Sequence, residues 1–224
     1  MTDALLTPRA VRSAAPASRT LVGWALAGGA AAGPLFLAAG VAQGAARDGF
    51  SFGRHAISQL ALGGPGWIQT VNFLVAGVLF AGGAWGLRRI LRGGPGGTWG
   101  PALIGVFGAS FWLAAAFPAD AGAGFPAGAP DATVLSGHGA VHMFGGMVGY
   151  LALCAASVVL GRSFTARGLR GWALASRIVP VFVLTGFMAS AASVLAFTLG
   201  AGLGLLWLTA ATARLARATA PARR

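Results

Sequence analysis

Residues 136–162 read SGHGAVHMFGGMVGYLALCAASVVLGR. Between Met143 and Gly161 no side chain is charged, and Arg162 closes the run. A helix needs about 20 predominantly apolar residues to cross the hydrocarbon core of a bilayer. The stretch meets that requirement and is apolar on every side, as a lipid-embedded helix is. It therefore reads as a membrane span over 137–160, with His138 and His142 at its mouth.

Working outward, the same pattern recurs. Six segments qualify, roughly 21–43, 67–88, 99–117, 137–160, 173–193 and 196–214. The last two must cross twice in about 40 residues, which predicts a tight turn near Ala192 to Thr198. Composition agrees: 56% of residues are hydrophobic and 9% are charged, against roughly 25% charged in soluble domains. The fold class is all-α, a bundle of six transmembrane helices over 20–214. It is flanked by a disordered basic tail at 1–19 and a basic tail at 215–224. The first span exceeds the 7–15 apolar residues, roughly, of a signal-peptide core, so it reads as an uncleaved helix.

The net charge of +12 does not mark a nucleic-acid binder, because the sixteen arginines lie in short clusters between spans with no contiguous basic face. They set the orientation instead. Arg9, Arg12 and Arg19 precede the first span, and Arg88, Arg89 and Arg92 follow the second. Arg162, Arg167, Arg170 and Arg177 separate the fourth and fifth, and Arg214, Arg217, Arg223 and Arg224 end the chain. Only Arg47 and Arg54 fall on the other side of a six-span chain. Cytoplasmic loops carry the excess of basic residues, so both termini are expected in the cytoplasm. Asp48, Asp120 and Asp131 then lie outside. The single cysteine, Cys154, precludes an intrachain disulfide and any Cys-based metal motif.

Short Gly/Arg-rich connectors are expected inside, against membrane lipid, and two long loops outside. Within the first outer loop, HAISQLAL (55–62) is read as a short helix ended by Gly63, Gly64 and Pro65. Glycines four apart (Gly29 and Gly33, Gly82 and Gly86, Gly145 and Gly149, Gly200 and Gly204) are expected to pack helices closely, within the bundle or between copies in a homo-oligomer. Trp67, Trp99 and Trp172 sit near span ends, as interface anchors do.

The topology gathers every histidine and three of the four acids at the outer end. His138 and His142 share one helix face, with His142 about 6 Å deeper. His55, Ser58, Gln59, Gln69 and Asn72 precede or open the second span, and Asp120 closes the third. Ionisable groups in a membrane usually face the bundle interior. A polar, outward-opening pocket walled by the second, third and fourth helices follows as an expectation.

Three chemistries compete for that pocket. His138 and His142 have the i, i+4 spacing zinc uses on helices. His55 would add a third ligand and Asp120 or water a fourth, with a metal-activated water for hydrolysis. The glutamate of an H-E-x-x-H motif is missing, since Gly139, Ala140 and Val141 intervene. Alternatively the histidines relay protons or bind a headgroup without metal, with Asp120 paired to a histidine or to Arg54. In the third reading His142 bonds a backbone carbonyl, and Asp120 with Arg54 or Arg47 pins the outer loops.

The stretch GFSFGRHAISQLALGGPGWIQTVNFLVAGVLFAGGAWGLRR (49–89) resembles the opening of the bacterial membrane family named domain of unknown function 998. The shared pattern falls on Arg54 or His55, Ile57, Ser58, Leu60, Gly66, Trp67, Asn72 and Phe73. FPAD (117–120) and SGHGAVH (136–142) resemble later elements of that family, and the likeness covers roughly residues 20–214. It implies a six-helix protein of a bacterial plasma membrane and no particular activity. The inventory Ser58, Asp120, His55, His138 and His142 also resembles the zinc site of the alkaline ceramidase and adiponectin-receptor membrane hydrolases. Those proteins have seven helices with the paired histidines on the last, so the likeness is chemical and not one of fold.

Two functions are expected from these residues. The first is a non-enzymatic membrane protein whose outer pocket binds a small polar or lipidic ligand, with Arg54, Gln59 and Asn72 contacting it. The alternative is a zinc hydrolase of lipids or amides at the outer leaflet. There His55, His138 and His142 hold the metal, and Ser58 and Asp120 are catalytic.

Overall fold

The computed structural model describes residues 16–219. Of the two expected tails, residues 1–15 and 220–224 lie outside the described residues. Six helices follow one another: α1 (Pro16–Ala46), α2 (Gly66–Ile90), α3 (Trp99–Ala116), α4 (Gly137–Ala166), α5 (Arg170–Met188) and α6 (Val194–Thr219). All six are long and apolar enough to cross a membrane. Short 3-10 turns at Ile57–Ala61 and Ala189–Ala191 precede α2 and α6. The first is the short helix expected in the HAISQLAL segment; it turns Leu60 fully inward.

The turn between α5 and α6 lies several residues earlier than expected. Ser193 caps α6, its Oγ accepting from Ala196 N at 3.2 Å. A serine before an apolar run is a helix-start signal, and it overrides the uniform hydropathy on which the expected boundary rested. α6 itself runs on to Thr219, past the end of the expected span.

Each helix packs on its neighbours in sequence, and α1 meets α6, so the six form a closed ring. Glycine permits close crossings: a Cβ on Gly29 would stand 2.5 Å from the Cα of Gly83. Gly33, Gly86, Gly145, Gly149, Gly200 and Gly204 likewise abut neighbouring helices, whereas Gly82 faces open space. Small residues thus serve as helix contacts inside the ring. The interior holds an aromatic cluster in which Phe36, Phe73, Phe80, Phe107 and Phe111 touch with centroids 5.1 to 5.9 Å apart.

The two ends of the ring differ. At one, the connector after α2 is held by Arg88 Nη1, which donates to Gly97 O and Thr98 Oγ1, both at 2.9 Å. Ser163 of α4 donates to Pro95 O there. The long connections 47–65 and 117–136 fold together at the opposite end, where all three histidines lie. Trp67 and Trp99, at opposite ends, are exposed, whereas Trp172 stacks on Phe164 at 5.5 Å.

Candidate functional site: a capped cavity in the helix ring

The two long connections build a small folded cap. Arg47, at the end of α1, donates to Leu60 O at 3.1 Å and Leu62 O at 2.7 Å, and its guanidinium lies 5.1 Å from the Phe125 ring centroid. His55 is 2% exposed. Its Nδ1 accepts from Ser51 N at 2.9 Å, so the ring proton sits on Nε2, which donates to Ala123 O at 3.0 Å. Phe50 and Phe125 flank the imidazole at 5.4 and 5.2 Å. Both ring nitrogens are thereby committed to backbone, and neither is left to bind a metal.

Below the cap, Asp120 and Ser136 tie the end of α3 to the start of α4. Ser136 donates to Asp120 through its backbone N–H (Oδ2, 3.0 Å) and its hydroxyl (Oδ1, 2.6 Å). The same hydroxyl caps α4 by accepting from Gly139 N at 3.0 Å. The Ser136 hydroxyl, and after it the Ser136 N–H, hold the Asp120 carboxyl below the usual carboxylate range. The positive end of the α4 dipole favours an anion there as well. Asp120 lies so near the helix that a Cβ on Gly139 would stand 1.8 Å from its Oδ2.

One turn deeper, His142 Nδ1 lies 2.8 Å from Phe117 O. A carbonyl only accepts, so Nδ1 carries the proton, and Nε2 bonds no group among the described residues. This is the backbone-bonding arrangement the third sequence reading assigned to His142. His138 is exposed and packs edge-on against Phe117 at 5.4 Å.

A cavity of about 460 Å³ opens between the helices beneath this end. Ser58, Gln59, Asp120, Thr133 and His142 line its upper part, with Phe36, Phe111, Tyr150, Phe187, Phe197 and Leu205 among the lower residues. The expectation of a polar pocket between α2, α3 and α4 differs from what is found. The lining is mostly apolar, its carboxylate and imidazole (Asp120 and His142) lie at the capped end, Ser110 and Tyr150 add hydroxyls deeper in, and α1, α5 and α6 contribute walls.

Half of the residues singled out from the sequence meet here: Ser58, Gln59, Asp120 and His142. Gln59 donates to Asp120 O at 3.3 Å, joining the two loops. The other four are placed elsewhere. Arg54 pairs with Asp131 at 3.5 Å on the exposed surface, and not with Asp120. Asn72 donates to Phe36 O and Gln69 Oε1, both at 3.1 Å, fastening α2 to α1. His55 is sealed in the cap, and His138 is outside the cavity lining. Among the described residues no group of three His, Cys, Asp or Glu side chains is placed to hold a metal ion. The expected three-histidine metal set is therefore not assembled, because the cap draws His55 to its own backbone.

Sequence reasoning missed Ser136, Gly139 and Thr133. For Ser136 a signal existed, since serine directly before an apolar helical run is the N-cap pattern. Thr133 and the ring of Tyr150 carried no such local mark.

The family model described as Protein of unknown function (DUF998) matches residues 30–220. The chain belongs to this family. In this DUF998 chain the motif positions that carried the resemblance, from Arg54 to Phe73, Phe117 to Asp120 and Ser136 to His142, all sit at the capped end. It is a multi-pass membrane protein by its six apolar helices. No curated protein and no solved structure matches it.

Proposed function

We propose that this membrane protein binds an amphiphile, its polar head under the cap and its tail among the phenyl rings of the bundle interior. One observation supports the reading: a cavity of about 460 Å³ whose lining is mostly apolar and whose two ionisable rim groups, Asp120 and His142, lie at the capped end. That volume falls within the roughly 300–1,000 Å³ of small-molecule sites. The capped end faces away from the cytoplasm of a bacterial plasma membrane, in keeping with the arginine distribution, and a membrane lipid or a molecule dissolved in the bilayer is the natural occupant.

A zinc hydrolase finds less support. His55 has no free ring nitrogen, and the remaining pair, His138 and His142, differ in setting, one exposed outside the cavity and one lining it.

Filling the cavity tests the proposal. Gly146 lines it, and a Cβ there meets nothing within 4 Å, so Gly146→Phe occupies space without pushing backbone aside. Gly202→Phe is a second filler, its Cβ 3.9 Å from Leu37. Mass spectrometry of protein extracted with its native lipids should find a retained amphiphile in the wild type that both variants lack. Identical lipid content in all three proteins would reject the reading.

A further inference from the structure

Resting on the reading of the cavity as an amphiphile site, we infer that it selects a head that donates hydrogen bonds and bears no negative charge. The shared chemistry is a hydroxyl or an ammonium group, as opposed to a sulfate, phosphate or carboxylate. A tail moving from bilayer to cavity exchanges one apolar setting for another, so the head decides which amphiphile is held.

Charge is the first argument. Asp120 is the single carboxylate in the cavity lining, and no arginine lines it. The two arginines at this end are engaged elsewhere. Arg47 bonds Leu60 O and Leu62 O under the Phe125 ring, and Arg54 pairs with Asp131. An anionic head would therefore meet a like charge with no arginine in the lining to offset it.

Hydrogen bonding is the second. With one ring proton, held on Nδ1 by Phe117 O, His142 offers the cavity an accepting Nε2. Each Asp120 oxygen takes one bond from Ser136, and an ionised carboxylate has about four lone-pair sites, so accepting capacity remains. The Ser58 hydroxyl, also in the lining, has no partner among the described residues and adapts as donor or acceptor. The two strongest groups at the rim thus ask for donors.

The test uses three amphiphiles with the same oleyl-type tail. They are monoolein (hydroxyl head), oleylamine (ammonium head) and oleyl sulfate (permanently anionic). Each competes against a pyrene-labelled monoacylglycerol for the full-length protein in phosphatidylcholine nanodiscs, with Gly146→Phe in parallel. Monoolein or oleylamine displacing the probe at concentrations at least about tenfold below oleyl sulfate supports the inference. Whichever of the two is stronger identifies the head. Oleyl sulfate equal to or better than both overturns it while leaving the cavity reading intact. Probe binding that is the same in the wild type and in Gly146→Phe overturns the cavity reading itself.

Discussion

Ser136 serves two helices at once, capping α4 and holding the carboxylate that ends the α3 segment. Loss of a helix cap costs about 1 kcal/mol, and Ser136→Ala should lower stability by at least that much in thermal unfolding of the detergent-solubilised protein. The pH dependence has a definite sign. The folded-state pKa of Asp120 is depressed by Ser136, so its contribution is complete above the ordinary carboxylate pKa and disappears as pH falls through the lower folded value. Unfolding midpoints followed from neutral into the acid range should fall more steeply for the wild type than for Ser136→Ala. At Gly139 the requirement is steric: Gly139→Ala places a methyl where Asp120 Oδ2 stands and should dislodge the carboxylate, whereas Gly146→Ala should leave stability unchanged. The histidine pair was conspicuous in the sequence, yet only His142 reaches the cavity. Helical spacing fixes a shared face but not how far along that face the protein interior extends.

The helices as elements were legible because each is a sustained apolar run, and hydropathy needs no partner to be read. The cap was not. Its defining bond joins His55 to Ala123, 68 positions apart, and no local pattern announces that two polar loops will fold on each other. Arg47 illustrates the point: it was read as a candidate partner of Asp120 in pinning the outer loops, but it bonds the carbonyls of Leu60 and Leu62 within its own loop and meets the second loop at the Phe125 ring, with no carboxylate involved. Arg47→Met removes both bonds and the stacking on Phe125. Limited proteolysis should then cleave within 47–65 at a rate well above wild type, while circular dichroism shows an undiminished helix content. Protection equal to wild type would show that the cap is held by other contacts.

At the scale of the whole molecule, the ring depends on backbones meeting where side chains are absent. Gly83→Leu drives a side chain into Gly29 and should abolish accumulation of folded protein, whereas Gly82→Leu, one residue away with nothing within 4 Å, should fold normally. Orientation is testable with the chain's own chemistry, since its single cysteine is buried. If the capped end faces outward as proposed, Thr133→Cys, on an exposed loop of that end, should react with a membrane-impermeant maleimide on intact cells, and Gly94→Cys only after lysis. The reverse pattern would invert the proposed topology. The number of spans was legible from the sequence. That the interior is hollow and lined by phenyl rings was not, because a cavity is a deficit shared among many helices and no single stretch records it.

The closing contact of the ring lies between its first and last members, α1 and α6. α6 also supplies Val194, Phe197, Thr198, Ala201, Gly202 and Leu205 to the cavity wall. Without the sixth helix the other five would leave a trough open to lipid, and the chamber is complete only with α6 in place. A molecule held there would have to be enclosed at the end of synthesis or admitted later, and a nascent chain halted before Val194 would have no chamber to fill.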